Sequence, residues 1–144
     1  MIERIEPEFV EFIPEELAPG KLYISMEYAT ASHLCCCGCG EKVVTPFTPT
    51  DWRMTYDGET VSLRPSVGNW EQACQTHYVI DRNRVIEHDR WTRAQVESER
   101  RRDRQAKARY YGGAHTEPSG TAGAPATQRR NGFWFSVRSW LSGR

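Results

Sequence analysis

No stretch of this chain is apolar for long enough to cross a bilayer, and its start has neither a basic region nor the apolar core of a secretory leader. The expectation is a cytoplasmic protein. Net charge is lacking as well. The 19 Lys and Arg stand against 19 Asp and Glu, so nothing global draws the chain to nucleic acid or to a membrane. Internal repeats are absent. Cysteine is absent too, except in two short clusters that hold all 5 of them. In a reducing compartment thiols stay reduced, and an odd number cannot all pair, so a metal accounts for the clusters better than disulfides do.

What is there begins with those clusters, His33-Leu34-Cys35-Cys36-Cys37-Gly38-Cys39-Gly40 and Cys74-Gln75-Thr76-His77. Thiolate and imidazole are the ligands Zn²⁺ prefers, and a structural site closes a tetrahedron with four of them. The glycines give the backbone freedom to wrap an ion. Cys74 and His77 have the spacing of a zinc half-site, and the preferred ligands are Cys37, Cys39, Cys74 and His77. Cys35 is the main substitute; a four-cysteine site would free His77 for other work. In an extended segment Cys36 points away from its neighbours, so it is left out. Cys36-Cys37-Gly38-Cys39 has the spacing of a redox motif but no βαβ context.

The fold class expected is mostly β (or α+β): a small zinc-stapled antiparallel β domain with a C-terminal helix and a flexible tail. The segment 1–17 is acidic, with Arg4 as its only base. Strand patterns at Lys21–Met26, Val43–Thr45, Trp52–Tyr56, Thr60–Leu63, His77–Ile80 and Arg84–Ile86 fill a domain over 18–92. Asp57-Gly58 and Asp81-Arg82-Asn83 read as hairpin turns, and Pro65–Trp70 as a loop. Residues 93–111 form a basic, Gly- and Pro-free helix with little to bury. A linker over 112–130 and an aromatic amphipathic tail over 131–144 complete the chain, the tail placing Phe133, Val137, Trp140 and Leu141 on one helical face. A core of about 70 residues buries too little apolar surface to be comfortable alone, which is where metals are recruited.

Chemistry, if any, must come from other groups once a metal is closed. Ser66 in the Pro65–Trp70 segment is a candidate nucleophile, with Asn69 as a candidate oxyanion donor and His33 or His77 as the base. Asp51 and Asp57 are possible orienters, and nothing in the sequence selects one. The sequence by itself favours the plainer account, a turn capped by Ser66 and Asn69 with Trp70 in the core. A catalytic zinc with an open position is a further option, disfavoured by a thiolate-rich shell.

The ordered motifs His33-x-Cys35-x-Cys37-Gly38-Cys39-Gly40, Trp52, Asp57-Gly58, Val61-Ser62-Leu63-x-Pro65-Ser66-x-Gly68-Asn69-Trp70 and Cys74-x-x-His77-Tyr78 resemble a small bacterial family, long labelled a domain of unknown function. That family is encoded beside E1-like, E2-like and ubiquitin-like proteins in conjugation operons. The likeness spans roughly residues 18–90. Cys36 stands where the family pattern has proline, and Thr76 where it has serine. The resemblance implies a zinc-binding accessory protein and supports His33, Cys35, Cys37, Cys39, Ser66, Asn69, Cys74 and His77 as site residues. It further implies a peptidase or isopeptidase, deubiquitinase-like, that matures the modifier or removes it from targets. The partners would be a ubiquitin-like protein or its conjugates, with E1- and E2-like proteins as further candidates. The alternative is a non-catalytic zinc module that recruits components of the same pathway. Nucleic-acid binding, resting only on the Arg-rich helix, is not expected.

Overall fold

Alternating apolar and polar residues over short stretches, punctuated by turn chemistry, give this chain strands rather than helices. In a computed structural model that describes residues 1–113, the strands form two four-stranded sheets, and one helix follows. The first sheet is β1 (Glu6–Phe9), β2 (Lys21–Ser25), β3 (Thr30–Leu34) and β4 (Lys42–Pro46), in that spatial order. Strand β1 runs parallel to β2, and the remaining pairs are antiparallel. The second sheet is an antiparallel meander of β5 (Arg53–Tyr56), β6 (Val61–Gly68), β7 (His77–Asp81) and β8 (Arg84–His88). Leu22 and Ile24 from the first sheet and Val61, Leu63, Tyr78 and Ile80 from the second are buried in one shared core. The protein is therefore mostly β, as its sequence implies. The expected linker and aromatic tail lie outside the described residues, except for Gly112 and Gly113.

The acidic segment 1–17 supplies β1. Its Ile5 is fully buried, and its backbone is tied to the second sheet by Ile5 N–H to the Asn83 carbonyl (2.9 Å) and Val85 N–H to the Glu3 carbonyl (2.9 Å). Strand β3, which has no alternating pattern to announce it, leads straight into the cysteine cluster.

Both expected hairpin turns form. Asp57 accepts from the backbone N–H of Thr60 (2.6 Å) and Glu59 (2.9 Å) and from the Thr60 hydroxyl (2.7 Å). These bonds, the Thr60 N–H first, hold its carboxyl down at about 2. Asp57 is thus committed to its own turn. Arg82 (φ 45°) and Asn83 (φ 63°) make the two-residue turn between β7 and β8. The Asn83 side-chain oxygen accepts from the buried Val61 N–H at 2.8 Å, clipping that turn to β6.

Strand β6 differs from its sequence pattern. The loop expected at Pro65–Trp70 is largely strand, because Val67 keeps phase with Val61 and Leu63 and reaches the same core. Leu63 faces Ile80 and Val67 faces Tyr78, so β6 bulges between them. Bulges re-aim side chains. This one carries Ser66.

Helix α1 (Arg93–Gly112) starts at a capping box between Thr92 and Gln95 and buries none of its residues. Val96, Arg100, Asp103 and Lys107 share one face by helical spacing. That face is fastened to the β domain by Arg100 to Glu71 (2.9 Å) and Lys107 to Asp51 (2.8 Å). No described helix is long and apolar enough to cross a membrane.

Candidate active site and metal centre

Cys35, Cys37 and Cys39 lie in the connection between β3 and β4, where Gly38 (φ 90°) and Gly40 (φ 83°) let the chain reverse tightly. Cys74 arrives from the β6–β7 connection. The four Sγ atoms lie within 4.8 Å of one another. Sγ–Sγ distances of 3.4 Å (Cys35–Cys37) and 3.9 Å (Cys35–Cys74) bracket the edge of about 3.8 Å that a tetrahedral ion with bonds of about 2.3 Å needs. The Cys37 thiol is pushed up to about 12, first by desolvation and then by its hydrogen bond to Cys39. Desolvation works to raise Cys74 too, but hydrogen bonds from Thr76, Cys39 and Cys37 outweigh it and bring Cys74 down to about 7. Donors surround the cluster: the Asn69 amide (3.2 Å) and the Thr76 hydroxyl (3.2 Å) on Cys35, and the Cys39 N–H (3.3 Å) on Cys37. Outer-shell donors of this kind orient thiolate ligands. Four soft donors, hydrogen bonds onto their sulfurs and near-tetrahedral spacing fit a metal ion held where the two sheets meet.

The set gathered is therefore the four-cysteine one. Cys35 occupies the place the spacing had given to His77, because β3 delivers Cys35 inward while β7 turns His77 toward Ser66. Cys36 is fully buried in the core, outside the cluster.

Ser66 Oγ lies 2.8 Å from His77 Nε2. The other ring nitrogen, Nδ1, is 3.2 Å from the Asp89 main-chain carbonyl. A carbonyl can only accept, so Nδ1 carries the proton and Nε2 accepts from the serine hydroxyl. Gly68 pairs with His77 across the strands, and Ser66, two residues earlier, projects to the same face. Aromatic rings enclose the imidazole: Trp91 edge-on at 4.8 Å, Trp70 at 5.2 Å and His88 at 5.3 Å, with Trp70 and Trp91 stacked at 5.2 Å. Above the pair is a slot of about 280 Å³ between β6 and α1, lined by Ser66, His77, Trp52, Trp70, Val96 and Asp103 among others.

The remaining candidates sit elsewhere. His33 is fully buried on β3, its Nε2 hydrogen-bonded to the Tyr78 hydroxyl at 2.7 Å, and burial holds its pKa down at about 4. The fold does not bring it to Ser66. Asn69 points its amide at Cys35 and Thr76 rather than into the slot. Asp51 lines the slot but is bound to Thr48 (2.6 Å) and Lys107 (2.8 Å). Sequence reasoning had no signal for the Asp89 carbonyl, since any residue supplies one. Trp70 and Trp91 could have been flagged as aromatics flanking a polar segment, yet aromatic residues fill cores far more often.

Residues 9–88 match the family model described as bacterial ubiquitination-like system serine protease (BubE). No curated protein and no solved structure matches the chain. The match covers more than half of the sequence, and the protein belongs to this family, the one toward which its ordered motifs pointed.

Proposed function

From this membership in a serine protease family, we propose that the chain is a serine-type peptidase or isopeptidase acting on a bacterial ubiquitin-like modifier, with Ser66 as nucleophile and His77 as general base. It would mature the modifier or remove it from targets. The single observation carrying this reading is the 2.8 Å Ser66–His77 contact at the floor of the slot. Ser66 Oγ attacks the carbonyl carbon of the scissile bond and passes its proton to His77 Nε2. The imidazolium then protonates the leaving amine, an α-amine in a precursor or a lysine ε-amine in a conjugate. Water, deprotonated by the same nitrogen, cleaves the acyl-serine ester. The Asp89 carbonyl does the orienting work that a carboxylate does elsewhere: it fixes the tautomer and steadies the ring. It carries only a dipole, so it stabilises the imidazolium less than a charged partner would. With the Asn69 amide engaged at Cys35 and Thr76, main-chain N–H groups would have to hold the oxyanion.

The metal in this reading is Zn²⁺ held by Cys35, Cys37, Cys39 and Cys74, a shell that four thiolates close, leaving no position for reactive water. Its part is to neutralise the thiolates and pin the β6–β7 connection, from which His77 enters β7. His33 is a core residue and not the base.

Cleavage of a ubiquitin-like fusion protein tests the reading. Ser66→Ala should lower turnover by at least about 10⁴-fold, and His77→Gln by about 10²–10⁴-fold, with zinc content unchanged in both. Cleavage at the wild-type rate by Ser66→Ala would end it. Loss of zinc from that variant would assign Ser66 to the scaffold instead.

A further inference from the structure

Large apolar side chains should avoid water, yet this protein leaves a group of them out on one side. Phe12 is 61 % exposed, Met26 60 % and Tyr28 57 %, with Phe9 and Tyr56 at 46 % and 43 %. They are not scattered. The Phe12 and Tyr28 rings touch at 5.5 Å, and those of Phe9 and Tyr56 at 4.9 Å. Ser25 Oγ donates to the Glu11 carbonyl (2.7 Å) and accepts from the Tyr28 N–H (3.3 Å), which fixes the β2–β3 turn against the segment after β1. From Met26 a groove of about 620 Å³ passes Phe47 and Met54 and ends at Pro65, the residue before Ser66. Tyr56 shares a face of β5 with Met54, and Tyr28 follows Met26 by two residues in the β2–β3 turn, so each aromatic pair includes a near neighbour of a groove residue.

Two features say what the groove takes. Asp51, Trp52 and Pro65 line both this groove and the slot above Ser66, so the two are one continuous surface. Arg53 lines it and supplies a positive edge; Arg64 lines it too, with its guanidinium on Asp81 at 2.8 Å. Beyond the slot, α1 stands fastened by Arg100–Glu71 and Lys107–Asp51. A protein whose terminus reaches Ser66 therefore has its body on the Met26 side.

We propose that this groove is the docking surface for the folded body of the ubiquitin-like substrate, received through an apolar patch edged by carboxylates while its C-terminal residues lie in the slot. The proposal rests on the Ser66–His77 reading of the site. Rigid aromatic and Met side chains at low entropy cost are what interface anchors are made of, and an arginine edge selects for acidic neighbours. Exposed aromatic pairs otherwise only invite aggregation.

The test uses the full-length protein and two exposed positions outside the catalytic pair, Met26→Asp and Phe12→Asp. Three readouts are taken: KM and kcat on a ubiquitin-like fusion, the labelling rate of Ser66 by a small fluorophosphonate, and the affinity of S66A-based versions for the fusion. The proposal expects KM to rise at least tenfold and affinity to fall alike, with labelling unchanged. Unaltered KM and affinity in both variants would overturn it. A gain in turnover matched by a chain ending at Gly113 would also overturn it, making residues 114–144 the occupant. If wild type does not label, the Ser66 reading fails by itself, and the affinities still decide the groove.

Discussion

Replacing Gly68 by alanine should cripple the site through a chain of contacts that starts at the β6 backbone. A Cβ at that position would meet Trp70 Cε2 at 2.4 Å, Nε1 at 2.5 Å and Cζ2 at 2.6 Å. Carbon atoms in ordinary contact lie about 3.5–4.0 Å apart, so the indole must retreat by about 1 Å. It is not free to do so. Trp70 stacks on Trp91 at 5.2 Å and leans on His77 at 5.2 Å, and His77 holds Ser66 at 2.8 Å. Overpacking of this sort costs about 1–3 kcal/mol, and each disturbed ring pair is worth about 0.5–1.5 kcal/mol within that total. For a domain of about 100 residues, 1 kcal/mol moves Tm by about 4–8 °C. A displacement of about 1 Å among reacting groups costs about 10²-fold in rate. Gly68→Ala should therefore lose about 10–100-fold in kcat/KM on a ubiquitin-like fusion, with a Tm lower by several degrees and an unchanged metal content. Wild-type kcat/KM and Tm together would refute the claim that the indole must lie across a bare backbone to position His77.

Metal removal should unfold the domain rather than merely inactivate it. Structural zinc contributes apparent binding free energies of about 10–16 kcal/mol against net domain stabilities of about 5–15 kcal/mol, so Cys74→Ser or a strong chelator should abolish the β signature in circular dichroism. Cys36→Ala should keep the ion in elemental analysis, since Cys36 lies outside the cluster. Asn83→Ala should cost about 1–3 kcal/mol in denaturant unfolding, because it strands the buried Val61 N–H; forcing alanine to φ 63° adds to the loss. Asp57 gives a pH signature: its folded pKa of about 2 lies below the ordinary carboxylate value, so its stabilisation is complete above about pH 4 and lost as pH falls through 2. Asp57→Asn should flatten the pH dependence of stability in that window, and an unchanged slope would count against the hairpin bonds as its origin.

Much of the scaffold was legible in the chain, for local reasons. Asp57-Gly58 and Arg82-Asn83 specify turns through backbone conformations that few residues adopt. The strand formers at Lys21–Ser25 and His77–Ile80 give two strands that are buried along most of their length. The helix over 93–111 follows from its lack of Gly and Pro, with Thr92 and Gln95 capping it. Strands β1 and β3 escaped because β1 is short, contains Pro7 and is mostly exposed, while β3 is mostly buried without alternation, and each exists by pairing with its neighbours.

The cysteines by themselves pointed to a metal site, since all five thiols fall in two short clusters, and four of them gather within 4.8 Å of one another. The sequence also presented Ser66, His33, His77 and Asn69 as the residues with chemistry to offer. It could not rank them, because spacing along the chain carries no direction for a side chain. Only the tertiary structure decided which of them meet. Ser66 and Gly68 share one face of β6, the pairing of Gly68 with His77 puts the imidazole on that face, and the packing of β3 against Tyr78 seals His33 away. Cys35 joins the four-cysteine cluster and His77 lies outside it, because the β3–β4 connection brings three thiols to the place where the β6–β7 connection brings Cys74.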